Sequence, residues 1–270
     1  MKIDFHTHCF PDALAPRAMA ALHQNFTRIS MKSHTDGTAK GAKELLGGIG
    51  VDHAVVCNIA TNAHQESKVN DFAIALAQSD PFFYPLGSIH PDSERKDAEL
   101  ARLQAAGIKG IKLHPDYVGV LLSDPRFDEI FSLLEARDMF CVLHSGFDPV
   151  SPDFIHAPPR LIREALERHP RLKLISAHMG GYEQARGVME ELLGTSVYFD
   201  TSLCSFREPE REMLIEILHR HDEDRILFAT DTPWSNPVAE IAFLESAGLS
   251  EERLDKIYSK NAMRLLGISN

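Results

Sequence analysis

The chain has little of what several functional classes require. Its four cysteines, Cys9, Cys57, Cys141 and Cys204, form no CxxC pair, so neither a structural zinc cluster nor a disulfide framework is expected. Cys9 adjoins His8, but alternation along an extended chain turns it to the opposite face, toward packing. No run approaches the roughly 18 consecutive apolar residues of a membrane span. The opening MKIDFHTH is broken by charge before any apolar region of a secretory signal could form, so a cytoplasmic protein is expected. Lysine and arginine form no run, and 39 acidic against 28 basic residues leave a net charge of −11. Nucleic acid and membrane are therefore not expected partners. Tryptophan occurs once, at Trp234. With 44% hydrophobic and 25% charged residues, the composition is that of an ordinary globular protein and excludes a disordered chain.

What is present is a repeated grammar. Short apolar runs, KIDFH, HAVVCNI, FFYPLGSIH, GIKGIKLH, FCVLHSG, LKLISAH, SVYFDTS and RILFATD, alternate with segments whose apolar residues recur three and four apart. Strands alternating with helices imply a parallel sheet covered by helices. Eight such units in 270 residues predict an α/β fold, a (β/α)8 TIM barrel, which typically takes about 250 residues. The stretch from about Phe10 to Lys40 is long for a connection between strand and helix and reads as a partly helical insertion over the barrel mouth. The tail SEERLDKIYSKNAMRLLGI adds one or two helices. No linker or shift of composition divides the chain, so residues 1–270 are expected to form one domain.

The polar residues at the strand ends carry the chemistry. In FHTH, His6 and His8 stand two apart and leave one face of an extended chain, so both can address one ion. Strand four ends in Lys112 and His114, strand five in His144, strand six in His178 and strand eight in Asp231. Barrel enzymes build their sites at this rim, from the ends of several strands. Four histidines and an aspartate from strands one, five, six and eight make a nitrogen and oxygen set suited to zinc or a similar divalent ion. His169, His219 and His221 fall instead at predicted helix ends, where they read as dipole partners.

The segments DFHTH, GIKLHP, VLHSG, SAHMGG, FATDTPW and NAMRLLGI together resemble the amidohydrolase superfamily, and within it the amidohydrolase-related branch that includes aminocarboxymuconate-semialdehyde decarboxylase. The resemblance covers essentially the whole chain. It implies that His6, His8, His144 and Asp231 bind one divalent ion, zinc with manganese as the alternative, and that His178 lies beside the reacting water or substrate. Strand four carries no acid, which separates the chain from TatD-type nucleases and from members that bridge two metals, unless Lys112 is carboxylated. The implied activity is hydrolysis of a lactone, ester or amide in a small carboxylated or cyclic molecule by a metal-activated water, with His178 and Asp231 as catalytic residues. A nonoxidative decarboxylase or hydratase uses the same ligands and is the alternative; a noncatalytic metal-binding barrel is the third reading. Lys112, His114 and Tyr117 are expected substrate-wall residues, joined by Phe10, Arg17 and Trp234. Arg207 is weighed as a second carboxylate anchor. The expected partners are a small-molecule substrate and a second copy in a homodimer.

Overall fold

The computed structural model describes residues 1–25 and 32–268. Eight strands, β1 (Ile3–Thr7), β2 (His53–Cys57), β3 (Phe83–Ser88), β4 (Gly110–Leu113), β5 (Phe140–Leu143), β6 (Lys173–Ser176), β7 (Tyr198–Asp200) and β8 (Ile226–Leu227), pair in parallel in sequence order. Backbone hydrogen bonds from Phe5 N to Phe228 O and from Asp231 N to His6 O, both 2.8 Å, join the last strand to the first. The result is a (β/α)8 barrel.

Twelve α-helices are described: α1 (Ala15–Asn25), α2 (Ala39–Gly48), α3 (Glu66–Ser79), α4 (Lys96–Ala105), α5 (Pro115–Val118), α6 (Pro125–Arg137), α7 (Pro159–Arg168), α8 (Ala185–Glu191), α9 (Arg211–Arg220), α10 (Pro237–Glu245), α11 (Glu251–Asp255) and α12 (Asn261–Leu266). Their starts are written locally. Asp124 and Asn236 cap α6 and α10 by accepting from the amides of Arg126 and Val238, each followed by a proline at the first helical position, where no donor is lost. α7 shows how the helices cover the barrel, burying Leu161, Ile162, Ala165 and Leu166 on one stripe. None of the described helices is long and apolar enough to cross a membrane. Residues 26–31 of the expected insertion lie outside the described residues; the remainder forms α1 and the approach to α2.

Two departures from a regular barrel bear on the site. Ile3 and Phe5 belong to the cluster that fills the barrel interior with Phe140, Val142 and Ile175, so strict alternation would turn His6 outward. The register of β1 against β2 slips between Asp4, opposite Ala54, and Thr7, opposite Val56. The extra residue brings His6 to the inner side, a use of a bulge that is common beside functional sites. The second departure is β8, two residues long where RILFATD reads as a full strand. Side chains take over its ladder: Thr201 Oγ1 accepts from Ala229 N at 3.0 Å, and the buried Asp4 carboxylate accepts from Thr230 N at 3.0 Å.

The loops after β7 and β8 are tied together by Glu240 of α10, which accepts from the amides of Cys204 and Ser205, both at 3.0 Å, and from the hydroxyls of Ser205 and Ser235. Burial pushes its carboxyl up to about 7 against the pull of these donors. A raised folded pKa favours the protonated group on folding, so the contribution is present below the unfolded value near 4.5 and is lost as pH rises through about 7. Urea unfolding should therefore show wild type losing stability relative to Glu240→Gln between pH 5 and 8, by on the order of 3 kcal/mol. A gain over that interval would mean that the four donors outweigh burial.

Candidate metal centre

The strand ends deliver their side chains to the floor of one cavity of about 670 Å³, which includes His6, His8, Lys112, His114, His144, His178 and Asp231. Three of these converge. His8 Nε2 lies 3.0 Å and His6 Nε2 3.5 Å from Asp231 Oδ1, and the three ligand atoms fall within 4.8 Å of one another. The far side of each ring is committed: His6 Nδ1 donates to Asp200 Oδ2 at 2.8 Å, and His8 Nδ1 donates to Cys57 O at 2.9 Å. These bonds place the proton on Nδ1 and turn both Nε2 lone pairs inward, the arrangement a metal-binding imidazole requires. Burial lowers the pKa of His6 well below the ordinary histidine value, so the ring is neutral at neutral pH, with its Nε2 lone pair facing Lys112 Nζ at 3.1 Å. Asp231 Oδ1 is buried without a hydrogen-bond donor. The donor set fits a divalent ion.

His144, expected as the fourth ligand, does not join this set. Its Nδ1 contacts His178 Nε2 at 3.1 Å, and its ring stacks on His114 with centroids 4.0 Å apart and planes at 7°. The stack turns His144 Nε2 away, 3.6 Å from Asp148 Oδ2 and 3.9 Å from Asp116 Oδ2. His114, Asp116 and His144 have ligand atoms close enough to suggest a second ion, but ring geometry excludes it. An imidazole lone pair lies in the ring plane, and two parallel stacked rings cannot both aim at an ion about 2.0–2.1 Å from each nitrogen.

His178 is held for a different task. Ser202 Oγ donates to Asp200 Oδ1 and accepts from His178 Nδ1 at 2.8 Å, which fixes the proton on Nδ1 and leaves the lone pair on Nε2. Burial lowers its pKa well below the ordinary value. His178 and Met179 both have φ of 58°, a left-handed conformation sparsely populated by such residues, followed by glycines at 180 and 181. Arg207 clamps this turn, donating to His178 O at 2.9 Å and Gly181 O at 3.0 Å and pairing with Glu210. Its guanidinium is thus consumed by the scaffold, and Arg207 is not a substrate anchor.

Of the expected wall residues, Phe10, Lys112, His114, Tyr117 and Trp234 line the cavity, and Tyr117 stacks on His114 at 3.9 Å. Lys112 is buried at the floor with Nζ 3.1 Å from His6 Nε2. Phe10 N donates to Gly37 O at 2.8 Å, which draws the two ends of the insertion together at the mouth. Arg17 is the exception. It is exposed on α1 and does not line the cavity, because α1 turns the stripe of Ala18 and Leu22 inward and Arg17 lies off that face.

Sequence reasoning missed Asp200, Ser202 and Asp148. Asp200 ends β7, so the strand-end logic that selected His144 and His178 applied equally to it. Asp148 lies in the loop after β5, where Gly146, at φ 87°, packs so tightly on Tyr182 that a Cβ would meet its backbone nitrogen at 2.2 Å. The loop aims Asp148 Oδ2 into the cavity, 3.5 Å from His114 Nε2, and burial pushes its carboxyl up to about 7.

The family described as Amidohydrolase matches residues 3–268. The chain belongs to the amidohydrolase family. It is an enzyme of that superfamily. A search of curated proteins found no match. Among solved structures, the amidohydrolase chain resembles an uncharacterised TIM-barrel protein from Bordetella bronchiseptica, at TM-score 0.77 and 18% identity over 99% of this chain and 98% of the other. It also resembles 5-carboxyvanillate decarboxylase from Novosphingobium aromaticivorans, solved with manganese and a nitrobenzoic acid, at TM-score 0.71 and 18% identity over 99% and 96%. A proposed 2-pyrone-4,6-dicarboxylic acid hydrolase from Pseudomonas putida matches at TM-score 0.70 and 16% identity over 100% and 98%. At these identities the likenesses show the fold.

Proposed function

We propose that this amidohydrolase hydrolyses a lactone, ester or amide in a small carboxylated or cyclic molecule, working with one divalent ion, zinc in the first place and manganese in the second. The observation that carries the reading is a neutral, oriented histidine beside a metal-type donor set: the His178 ring lies 5.1 Å from that of His6 and lines the same cavity. His6, His8 and Asp231 are the proposed ligands. His144 becomes a fourth only if its Nδ1 leaves His178. An ion held there supplies Lewis acidity and lowers the pKa of a water it binds from 15.7 to about 7.

The chain's own residues do the rest. His178 Nε2 accepts a proton from the attacking water and returns it to the leaving oxygen of a lactone or ester, or the leaving nitrogen of an amide, while Ser202 and Asp200 keep the ring in the tautomer that allows this. Lys112 is the cation at the floor, placed to donate to a carbonyl oxygen as that oxygen gains charge. His114 and Tyr117 form a flat wall against which a planar head can lie.

A nonoxidative decarboxylase or hydratase is the second reading, and Asp148 favours it. A carboxyl raised to about 7 offers a proton inside the cavity at neutral pH, which a carbanion left by departing carbon dioxide would take up. The decarboxylase among the similar structures points the same way. Metal-reconstituted protein should release acid from at least one lactone or ester in a panel, followed by pH-stat, with no carbon dioxide evolved. Carbon dioxide from hydroxybenzoates or unsaturated acids without hydrolysis would replace the first reading with the second.

A further inference from the structure

The donor set occupies only the floor of the cavity. Above it the wall is formed by two helices that each present an apolar stripe to the opening. Leu14, Ala18 and Leu22, at i, i+4 and i+8, face it from α1 and the residue before it; Val69 and Phe72 face it from α3, and Ile59 from the segment after β2. All six line the same cavity as His6, His8 and Asp231.

Apart from Phe72, which also packs on the hydrophobic core, these stripes are not the core faces of their helices. α1 buries Ala15 and Met19 against the body of the protein, and α3 buries Asn70, Ala73 and Leu76. Leu14 is 45% exposed, and Ala18, Leu22, Ile59, Val69 and Phe72 are half-buried. A helix apolar on two faces needs both covered, and here the second face looks into the site. The charges around the slot are sparse. Among the described lining residues the only lysines are Lys68 and Lys112 and there is no arginine; Lys112 is held at His6 on the floor, which leaves Lys68, exposed, as the one cation among these residues that faces the slot. A volume of about 670 Å³ is mid-range for cavities that take a drug-sized ligand, about 300–1,000 Å³.

We infer that the substrate is an amphiphile whose polar head reacts over His6, His8 and Asp231 and whose apolar body, of alkyl-chain character, fills the slot between α1 and α3, where Lys68 can meet a further negative charge. The position of the head rests on the proposed hydrolase reading; the slot does not.

The test reads binding without turnover. Trp234, the only tryptophan, lines the cavity, so its fluorescence reports occupancy. The metal-loaded full chain is titrated with straight-chain carboxylates from butanoate to decanoate. The dissociation constant should fall about two- to fourfold for each added methylene, the scale set by burying a CH₂ group. Leu22→Ser and Phe72→Ser should flatten that dependence, with metal content checking that each variant is folded. A dissociation constant independent of chain length, or an undiminished slope in both variants, overturns the inference. A normal slope in a protein that hydrolyses no lactone or ester leaves the slot standing and removes only the head-group chemistry. Hydrolysis without chain-length dependence does the reverse.

Discussion

Replacing His178 with asparagine should lower turnover about 10²- to 10⁴-fold, the usual worth of general acid–base assistance, and leave the metal content unchanged. Asparagine is the informative choice because His178 has φ of 58°. Asparagine tolerates the left-handed region better than most residues, so the turn clamped by Arg207 is retained, whereas alanine would add backbone strain to the loss of the ring. The variant removes the Nε2 lone pair that faces His144 and the site. It does not touch the atoms of His6, His8 and Asp231 that converge. Elemental analysis of wild type and variant, alongside kcat on the same substrate, separates the roles. Loss of metal together with activity would show that His178 is a ligand and that the acid–base assignment belongs elsewhere.

The barrel was legible because its evidence is periodic: eight apolar runs separated by helical spacing give eight strands and the helices between them. β8 was overestimated for a physical reason. RILFATD has the composition of a strand, but Thr201 and Asp4 supply the partners that a neighbouring backbone would have supplied, and no local pattern announces such substitutions. At the site, His6 and His8 were legible from their spacing, although their shared inward orientation depends on a register slip that the sequence does not mark. Strand ends told which side chains arrive at the rim. They did not tell how rings stack on arrival, and stacking on His114 is what sets His144 apart from the donor set. Loop residues were least legible. Arg17 and Arg207 look alike in sequence as spare cations, yet one stands in solvent and the other is 4% exposed, bound to main-chain carbonyls. Asp148 was invisible because its aim depends on the close approach of Gly146 to Tyr182.

Asp231→Asn should abolish both tight metal binding and measurable turnover, the largest effect expected of any single substitution. Asp231 Oδ1 is the atom shared by the contacts to His6 and His8, and it is the only carboxylate oxygen in that group of three. The amide is nearly isosteric and tolerates φ of 62°, so the change removes charge and leaves shape. Two neutral imidazoles alone are a poor match for a divalent ion, whose protein sites almost always have three or four donors. Wild type should contain close to one equivalent of zinc or manganese, and added metal should raise its Tm, since a ligand present at 1,000 times its Kd stabilises the folded state by about 4.1 kcal/mol. The Tm of Asp231→Asn should not respond. His144→Ala should weaken metal binding without abolishing it, given that its Nδ1 is engaged by His178. Retention of a full, tight equivalent by Asp231→Asn would move the ion away from these residues. Two tight equivalents in wild type would instead require a bridging group, and Lys112, with Nζ 3.1 Å from His6 Nε2, is the side chain positioned to provide one after carboxylation.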